Sequence, residues 1–439
     1  MFRYYLKLGL LSIRANPALS TLMVAAIAIG IGACMTIVTV QHMMSGNPIP
    51  EKSSILYHVN IDSWSDANPY ASGNRPPDQL TYTDSRNLLA EEKAPRQVAM
   101  FKSNRIIQPE GDDELPFEAD GRATSGDFFA MFNVPFQYGG GWDKSVDLSE
   151  ERVVVISENL NERLFGGADS TGQNLLMNGN DFRIVGVLAE WNPVIKFYDL
   201  NNNAFEPVED LYFPFSTAVA LEFGSSGNTN CWKPVEEGGR EAFLNSECIW
   251  TQFWVELPTA ADKAAYLNFL DAYVEQQKAL GRFPRPLDNR LSDVEEWMVV
   301  QQIMEDDVTV LLGLAVLFLV VCLLNTIGLL LAKVMRRAKD ISLRRALGAS
   351  KSTLFAQYIV EAGMIGVAGG LAGIGTTWLG LLGLRNLYAE FEFVSNLTRM
   401  DWTMTALAIG LAVVSALAAA LYPTWRACQV TPASQLRIQ

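Results

Sequence analysis

Histidine is almost missing from this sequence, with His42 and His58 the only two among 439 residues. Two histidines cannot build a usual zinc cluster, and neither an HExxH nor a CxxC motif occurs. Gly167-Ala168-Asp169-Ser170-Thr171-Gly172 has the spacing of a phosphate loop, but Gln173-Asn174 stands where Lys-Ser/Thr is required. These gaps leave no catalytic constellation. No ATPase is expected within these residues, and no cofactor or metal is expected to be bound by the chain. The formal charge of −14 gives no reason to expect a nucleic-acid partner.

Charge is also absent from long stretches. No Asp, Glu, Lys or Arg lies between Ala15 and Pro50, and Leu19 to Val40 can cross a hydrocarbon core of about 30 Å as a helix. A second run lies between Asp307 and Lys333. A third extends from Ser352 to Leu384, interrupted only by Glu361, and a fourth runs from Trp402 to Trp425. The first run is too long for a signal-peptide core, although Ile31-Gly32-Ala33-Cys34 faintly resembles a lipoprotein cleavage box. It is therefore expected to be retained as a span. In the third run, Gly366, Gly369, Gly370 and Gly373 form a small-residue face suited to close helix packing in lipid. Glu361, an acid at the start of that run, is expected near the membrane interface.

The charges that remain orient the spans. Arg3, Lys7 and Arg14 precede the first span without an acid. Lys333, Arg336, Arg337, Lys339, Arg344, Arg345 and Lys351 lie between the second and third against a single Asp340. Residues 44–307 hold 20 basic and 43 acidic residues, a net of −23. Lys and Arg excess stays in the cytoplasm. Both termini are thus expected inside and the large acidic region outside. Residues 2–14 read as an amphipathic helix lying on membrane lipid. Cys231 and Cys248 are the only cysteines in the outer region, where an oxidising compartment makes a disulfide the natural expectation.

The fold class expected is a membrane α-helical protein of four transmembrane helices. An α+β extracytoplasmic, periplasmic domain of two subdomains lies between spans one and two. The divisions are a cytoplasmic amphipathic helix (1–17), span 1 (18–44) and the outer domain (45–290, with 125–248 an inserted subdomain). A stalk with span 2 follows (291–332), then a cytoplasmic coupling segment (333–351), span 3 (352–384), a short external loop (385–401), span 4 (402–425) and a cytoplasmic tail (426–439). Within the outer domain, Ile55–Ile61, Gln97–Gln108, Phe117–Thr124, Val153–Ile156 and Trp250–Leu257 read as strands. Leu80–Glu92 and Ala260–Leu280 read as helices, and Asn178-Gly179 marks a hairpin. Trp191–Asn245 is irregular and expected to be the most exposed part. Leu287 to Gly313 has no interior Gly or Pro, which predicts one continuous helix rising about 25 Å from the membrane into span two.

Several segments together resemble the MacB/FtsX-type ABC permease family. KDISLRRALGAS (Lys339–Ser350) is similar to the family's REIGIRRALGAS pattern, with Lys-Asp-Ile-Ser where the family has Arg-Glu-Ile-Gly. FAQYIVEAGMIGVAGGLAGIG (Phe355–Gly375) resembles the start of its third span, and YPTWRACQVTPASQLR (Tyr422–Arg437) its tail. VVVISENLNERLFGGADSTGQNLLMNGNDFRIVGVL (Val153–Leu188) is similar to its LFG…GQ…VVGV segment, while Trp191–Asn245 matches no family pattern. The resemblance implies a permease without catalysis of its own, in a bacterial inner membrane, beside a partner ABC ATPase that holds the ATP and Mg. It further implies a second permease copy or sister permease and a periplasmic adaptor (membrane fusion) protein. ATPase docking would fall on Arg336, Arg337, Asp340, Ile341, Leu343, Arg344, Arg345, Ala346, Leu347 and Gly348, with arginines supplying charge and Ile341, Leu343, Ala346 and Leu347 an apolar face. The implied action is mechanotransmission for export of drugs, peptides or other amphiphiles. Lipoprotein release and non-transporting regulation are the alternatives.

Overall fold

The computed structural model describes residues 2–44, 46–70, 75–109, 115–303, 306–387 and 402–429. The chain divides into two compact units. A helical unit comprises residues 1–46 and 304–439, and an α+β unit comprises residues 47–303.

In the α+β unit, fourteen strands among the described residues form one sheet. They are β1 (Leu56–Asn60), β2 (Leu80–Thr81), β3 (Arg96–Lys102), β4 (Arg105–Gln108), β5 (Phe117–Ala119), β6 (Gly121–Thr124), β7 (Phe136–Gly139), β8 (Val153–Ile156), β9 (Asn174–Met177), β10 (Asn180–Leu188), β11 (Leu211–Pro214), β12 (Asn230–Cys231), β13 (Cys248–Glu256) and β14 (Arg290–Asp293). Their order is β14-β1-β13-β3-β6-β11-β8-β10-β9-β4-β5, with β2 and β12 against β13 and β7 against β10. The pairs β8–β10 and β6–β11 are parallel, and the rest antiparallel.

Both faces of this sheet are covered, which is why β8 and β11 are apolar and buried along their whole length. Side chains alternate across a strand. Ala99, Phe101, Val154, Ile156, Leu211, Phe213, Phe253 and Val255 therefore enter one core. Their neighbours Val98, Met100, Val153, Val155, Tyr212 and Trp254 enter the other. Helices α3 (Tyr82–Glu91), α4 (Asp127–Met131), α5 (Lys144–Ser149), α6 (Glu158–Phe165), α7 (Phe215–Ala220), α8 (Gly239–Leu244), α9 (Ala260–Ala279) and α10 (Val294–Val300) complete the unit. Asn178 and Gly179, at φ 48° and 74°, make the left-handed turn between β9 and β10 that the sequence predicts.

Four expectations change here. Gln97–Gln108 is two strands broken at Ser103-Asn104, one at the middle of the sheet and one near its end. Phe117–Thr124 likewise divides at Asp120. Residues 125–248, expected as an inserted subdomain, share one compact unit and one sheet with the rest of residues 47–303, since β8, β10 and β9 continue the sheet that holds β3 and β6. The continuous stalk is absent: 290–293 is a strand, α10 ends at Val300, and Gln302 turns left-handed at φ 52°.

The other unit holds α1 (Phe2–Ala15), α2 (Pro17–Met44), α11 (Asp306–Arg336), α12 (Ala338–Ala346), α13 (Lys351–Leu387) and α14 (Trp402–Cys428). Among the described residues, four helices are long and apolar enough to cross a membrane, within Pro17–His42, Val310–Arg336, Lys351–Asn386 and Thr405–Arg426. The glycine face of α13 lies between two of them. A Cβ on Gly366 would stand 2.7 Å from the Ala416 Cβ, and one on Gly370 3.0 Å from the Ala412 Cβ, both on α14. Gly369 and Gly373 face Ile27 and Ile31 of α2 in the same way, at 2.6 and 3.1 Å. Small side chains thus let three backbones approach closely.

Candidate functional site

Between α11 and α13 the chain makes one short helix, and its ends follow from local chemistry. Gly348 adopts φ 102°, the left-handed conformation that closes α12, and the Ser350 Oγ accepts the Thr353 N–H at 3.2 Å to open α13. Ile341 is 3% exposed and packs with Val334 and Leu354, flanked by Phe355 and Tyr358. Leu343 and Leu347 instead turn outward, 57% and 80% exposed. Arg336, Asp340, Arg344, Ala346 and Gly348 are also exposed, and Arg345 is half-buried. The Arg344 guanidinium donates to the Gln357 Oε1 at 3.3 Å.

The ten residues expected to dock a partner therefore divide. Ile341 is the anchor of α12 rather than part of a free apolar face, because one side of so short a helix must be buried to hold it. Arg337 is also engaged internally, donating to the Ser12 Oγ at 2.6 Å and to the Ser12 carbonyl at 3.3 Å. Among the exposed residues that remain, Leu343 and Leu347 form an outward leucine pair beside Arg344, with Arg336, Asp340 and Ala346 also exposed.

Directly behind this helix lies a polar cluster that sequence reasoning only half found. Glu361 is 2% exposed, and its Oε1 receives the Lys333 ammonium at 2.5 Å and the Ser12 hydroxyl at 2.6 Å. Lys333 also donates to the Ser20 Oγ at 3.2 Å. The cluster joins α1, α2, α11 and α13. Glu361 is buried, and a buried charge is tolerable only when paired. By sequence alone Lys333 reads only as a topology-setting charge. The signal available in the sequence was a lone acid and a lysine ending an apolar run.

In the α+β unit, Cys231 and Cys248 are partners in the β12–β13 register and form a disulfide with Cα atoms 4.2 Å apart. The region expected to be most exposed, Trp191–Asn245, is largely buried in its first half. Ile195, Phe197, Tyr198 and Leu200 pack with Tyr212 and Trp254. Beside them Arg122 pairs with Asp199 and with Glu209 at 2.5 Å, and Lys196 reaches Glu209 at 2.9 Å, all within 1% exposure. Burial opposes charge on Arg122, but Asp199 and Glu209 hold it ionised well above the usual range. Burial also raises Glu209, but Arg122 and Lys196 more than reverse this and hold it below the usual carboxylate range. Residues 224–245 keep the expected exposed or half-buried character throughout.

A family model described as the MacB-like periplasmic core domain matches residues 20–270, and one described as the FtsX-like permease C-terminal matches residues 312–432. The pyoverdine export ATP-binding/permease protein PvdT of Pseudomonas aeruginosa is 23% identical over 373 residues, covering 84% of this chain and 50% of that protein. The uncharacterized ABC transporter permease YknZ of Bacillus subtilis is 22% identical over 376 residues, covering 84% of each. The macrolide export ATP-binding/permease protein MacB of Salmonella typhimurium is 25% identical over 382 residues, covering 85% of this chain and 52% of that protein. The chain thus spans about half the length of the two ATP-binding/permease relatives. Among solved structures, the periplasmic region of MacB from Actinobacillus actinomycetemcomitans is similar at 14% identity and TM-score 0.37, over 58% of this chain and 96% of that one. The extracellular domain of YknZ is similar at 15% identity and TM-score 0.31, over 48% and 87%.

Proposed function

The chain belongs to the MacB/FtsX-type ABC transporter permease family, and we propose that it is the force-transmitting subunit of an inner-membrane exporter whose ATPase is another polypeptide. On this reading α12 is the input. Leu343 and Leu347 enter a groove on the ATPase, and Arg344 pairs with acidic groups at the groove's edge. ATP and Mg are held by the ATPase, and this chain carries out no chemistry.

The observation that supports this most is the division of labour in α12. Its inward side is fixed by Ile341, and the Arg337–Ser12 and Lys333–Glu361–Ser12 contacts tie its base to α1, α2, α11 and α13. A push on the outward leucines would therefore reach three spans at once. The chain crosses between the two units only near residues 46–47 and 303–304, so motion of α2 and α11 has covalent routes to the α+β unit. On this reading the termini lie in the cytoplasm and the α+β unit in the periplasm, which the excess of Lys and Arg near the spans and of acids in residues 44–307 supports. There the α+β unit handles drugs, peptides or other amphiphiles with an adaptor protein, beside a second permease copy or a sister permease.

Purification of the chain from its native membrane under conditions that preserve complexes tests the reading. An ABC ATPase is expected among the co-purifying proteins. Its reproducible absence, with the permease itself intact, would overturn the proposal.

A further inference from the structure

The α+β unit carries a cleft of about 480 Å³ that the coupling mechanism leaves unused. Its walls come from α3, α5 and α7, and its lining is mostly apolar, with Tyr82, Leu89, Leu148 and Phe215 prominent. Leu148 is 86% exposed, so no core packing accounts for it. The volume is that of a small-molecule site, which typically combines an apolar body with a few placed polar groups.

Three of those polar groups, Gln97, Asp127 and Asp147, keep acceptor capacity that nothing around them uses. Gln97 is 3% exposed and lines the cleft. Its Nε2 donates to the carbonyls of Leu88 and Leu89 at 3.1 and 2.6 Å, which leaves its buried Oε1 with no hydrogen-bond partner. Asp127 accepts the Gln97 N–H at 3.1 Å, and Asp147 accepts the Gly126 N–H and the Trp142 Nε1–H, both at 2.9 Å. A carboxylate offers about four lone-pair sites, so both retain capacity. Among the described residues neither forms an ion pair. Lys144, at the same cleft, pairs with Glu92 at 3.3 Å, and the Arg86 guanidinium lies over the Tyr82 ring at 5.8 Å. Burial, with Asp127 adding repulsion, pushes the Asp147 carboxyl up to about 6. A bound cation would relieve that penalty.

We infer that this cleft binds a protonated amine carried on an apolar or aromatic body. The ammonium is placed against Asp127, Asp147 and the Gln97 Oε1, with the body against Tyr82, Leu89 and Phe215. The site stands independently of any partner ATPase.

Equilibrium dialysis tests it on the full chain in phosphatidylcholine nanodiscs near neutral pH, with signal from empty discs subtracted. Tryptamine and indole-3-acetate are the probes, two indoles of opposite charge. Tryptamine is expected to occupy one saturable site at least about tenfold more tightly than indole-3-acetate. The paired change Asp127→Asn with Asp147→Asn is expected to weaken tryptamine about tenfold, the loss of one charge-assisted contact. Ala90→Trp fills the cleft from an exposed position without altering charge, and should abolish binding even if the asparagine variant fails to fold. Equal affinity for the two indoles, wild-type affinity in Ala90→Trp, or no saturable tryptamine binding would overturn the inference.

Discussion

The Lys333 ammonium and the Glu361 carboxylate lie 2.5 Å apart, on helices whose apolar runs would otherwise carry no charge at this depth. Removing one partner of a buried pair leaves the other uncompensated, at a cost of roughly 3 kcal/mol. Glu361→Gln and Lys333→Met should each lower the thermal midpoint of the full chain in detergent by several degrees. The exchange Lys333→Glu with Glu361→Lys should recover part of the loss. Equal melting of wild type and both single variants would show that the pair holds nothing together.

The glycine face gives a position-specific expectation. Gly366→Leu drives a side chain into Ala416, and overpacking of this kind costs about 2 kcal/mol. A Cβ at Gly375 would meet nothing within 4 Å, so Gly375→Leu should be tolerated far better. Thermal unfolding of the two variants side by side checks this, and similar losses in both would contradict the packing.

His58 sets a pH dependence in the α+β unit. Its ring stacks on Trp297 at 3.8 Å and meets the edge of Trp254 at 5.2 Å, and burial pushes its pKa down to about 3. The unfolded imidazole protonates first, near 6.5, so its stability contribution is complete above that pH and is lost as pH falls toward 3. Asp62 and Asp147, both raised to about 6 chiefly by burial, act in the opposite direction over part of this window. The informative quantity is therefore the stability of wild type minus that of His58→Phe. It should fall with decreasing pH by up to about 1.4 kcal/mol per unit. A difference that stays flat from neutral pH to about 4 would contradict the burial of a neutral ring.

These features differ in how openly the sequence carries them. The spans were legible because a charge-free run of that length has few other uses. The Asn178-Gly179 turn was legible because both residues tolerate positive φ. Ile341 and Leu343 looked alike, since a nine-residue helix gives too little periodicity to tell the anchored side from the outward one. The Lys333–Glu361 pair was hidden because its members come from different helices, and only packing brings them together. Trp191–Asn245 misled for a related reason. Lys196 and Asp199 read as surface residues until Arg122 and Glu209, distant in sequence, supply the opposite charges. The break at Gln302 was equally unmarked, because no Gly or Pro announces a glutamine in a left-handed turn.

The outward pair on α12 remains the point on which the functional account turns. ATP turnover by the chain reconstituted with its ATPase, compared across wild type, Leu347→Asp and Arg344→Glu, addresses it directly. Both positions are exposed, so neither change should unfold the helical unit. The account predicts that Leu347→Asp loses about tenfold or more of the permease-dependent turnover, as expected for a central apolar contact, with a smaller loss for Arg344→Glu. Turnover unchanged in both variants would contradict docking at this helix.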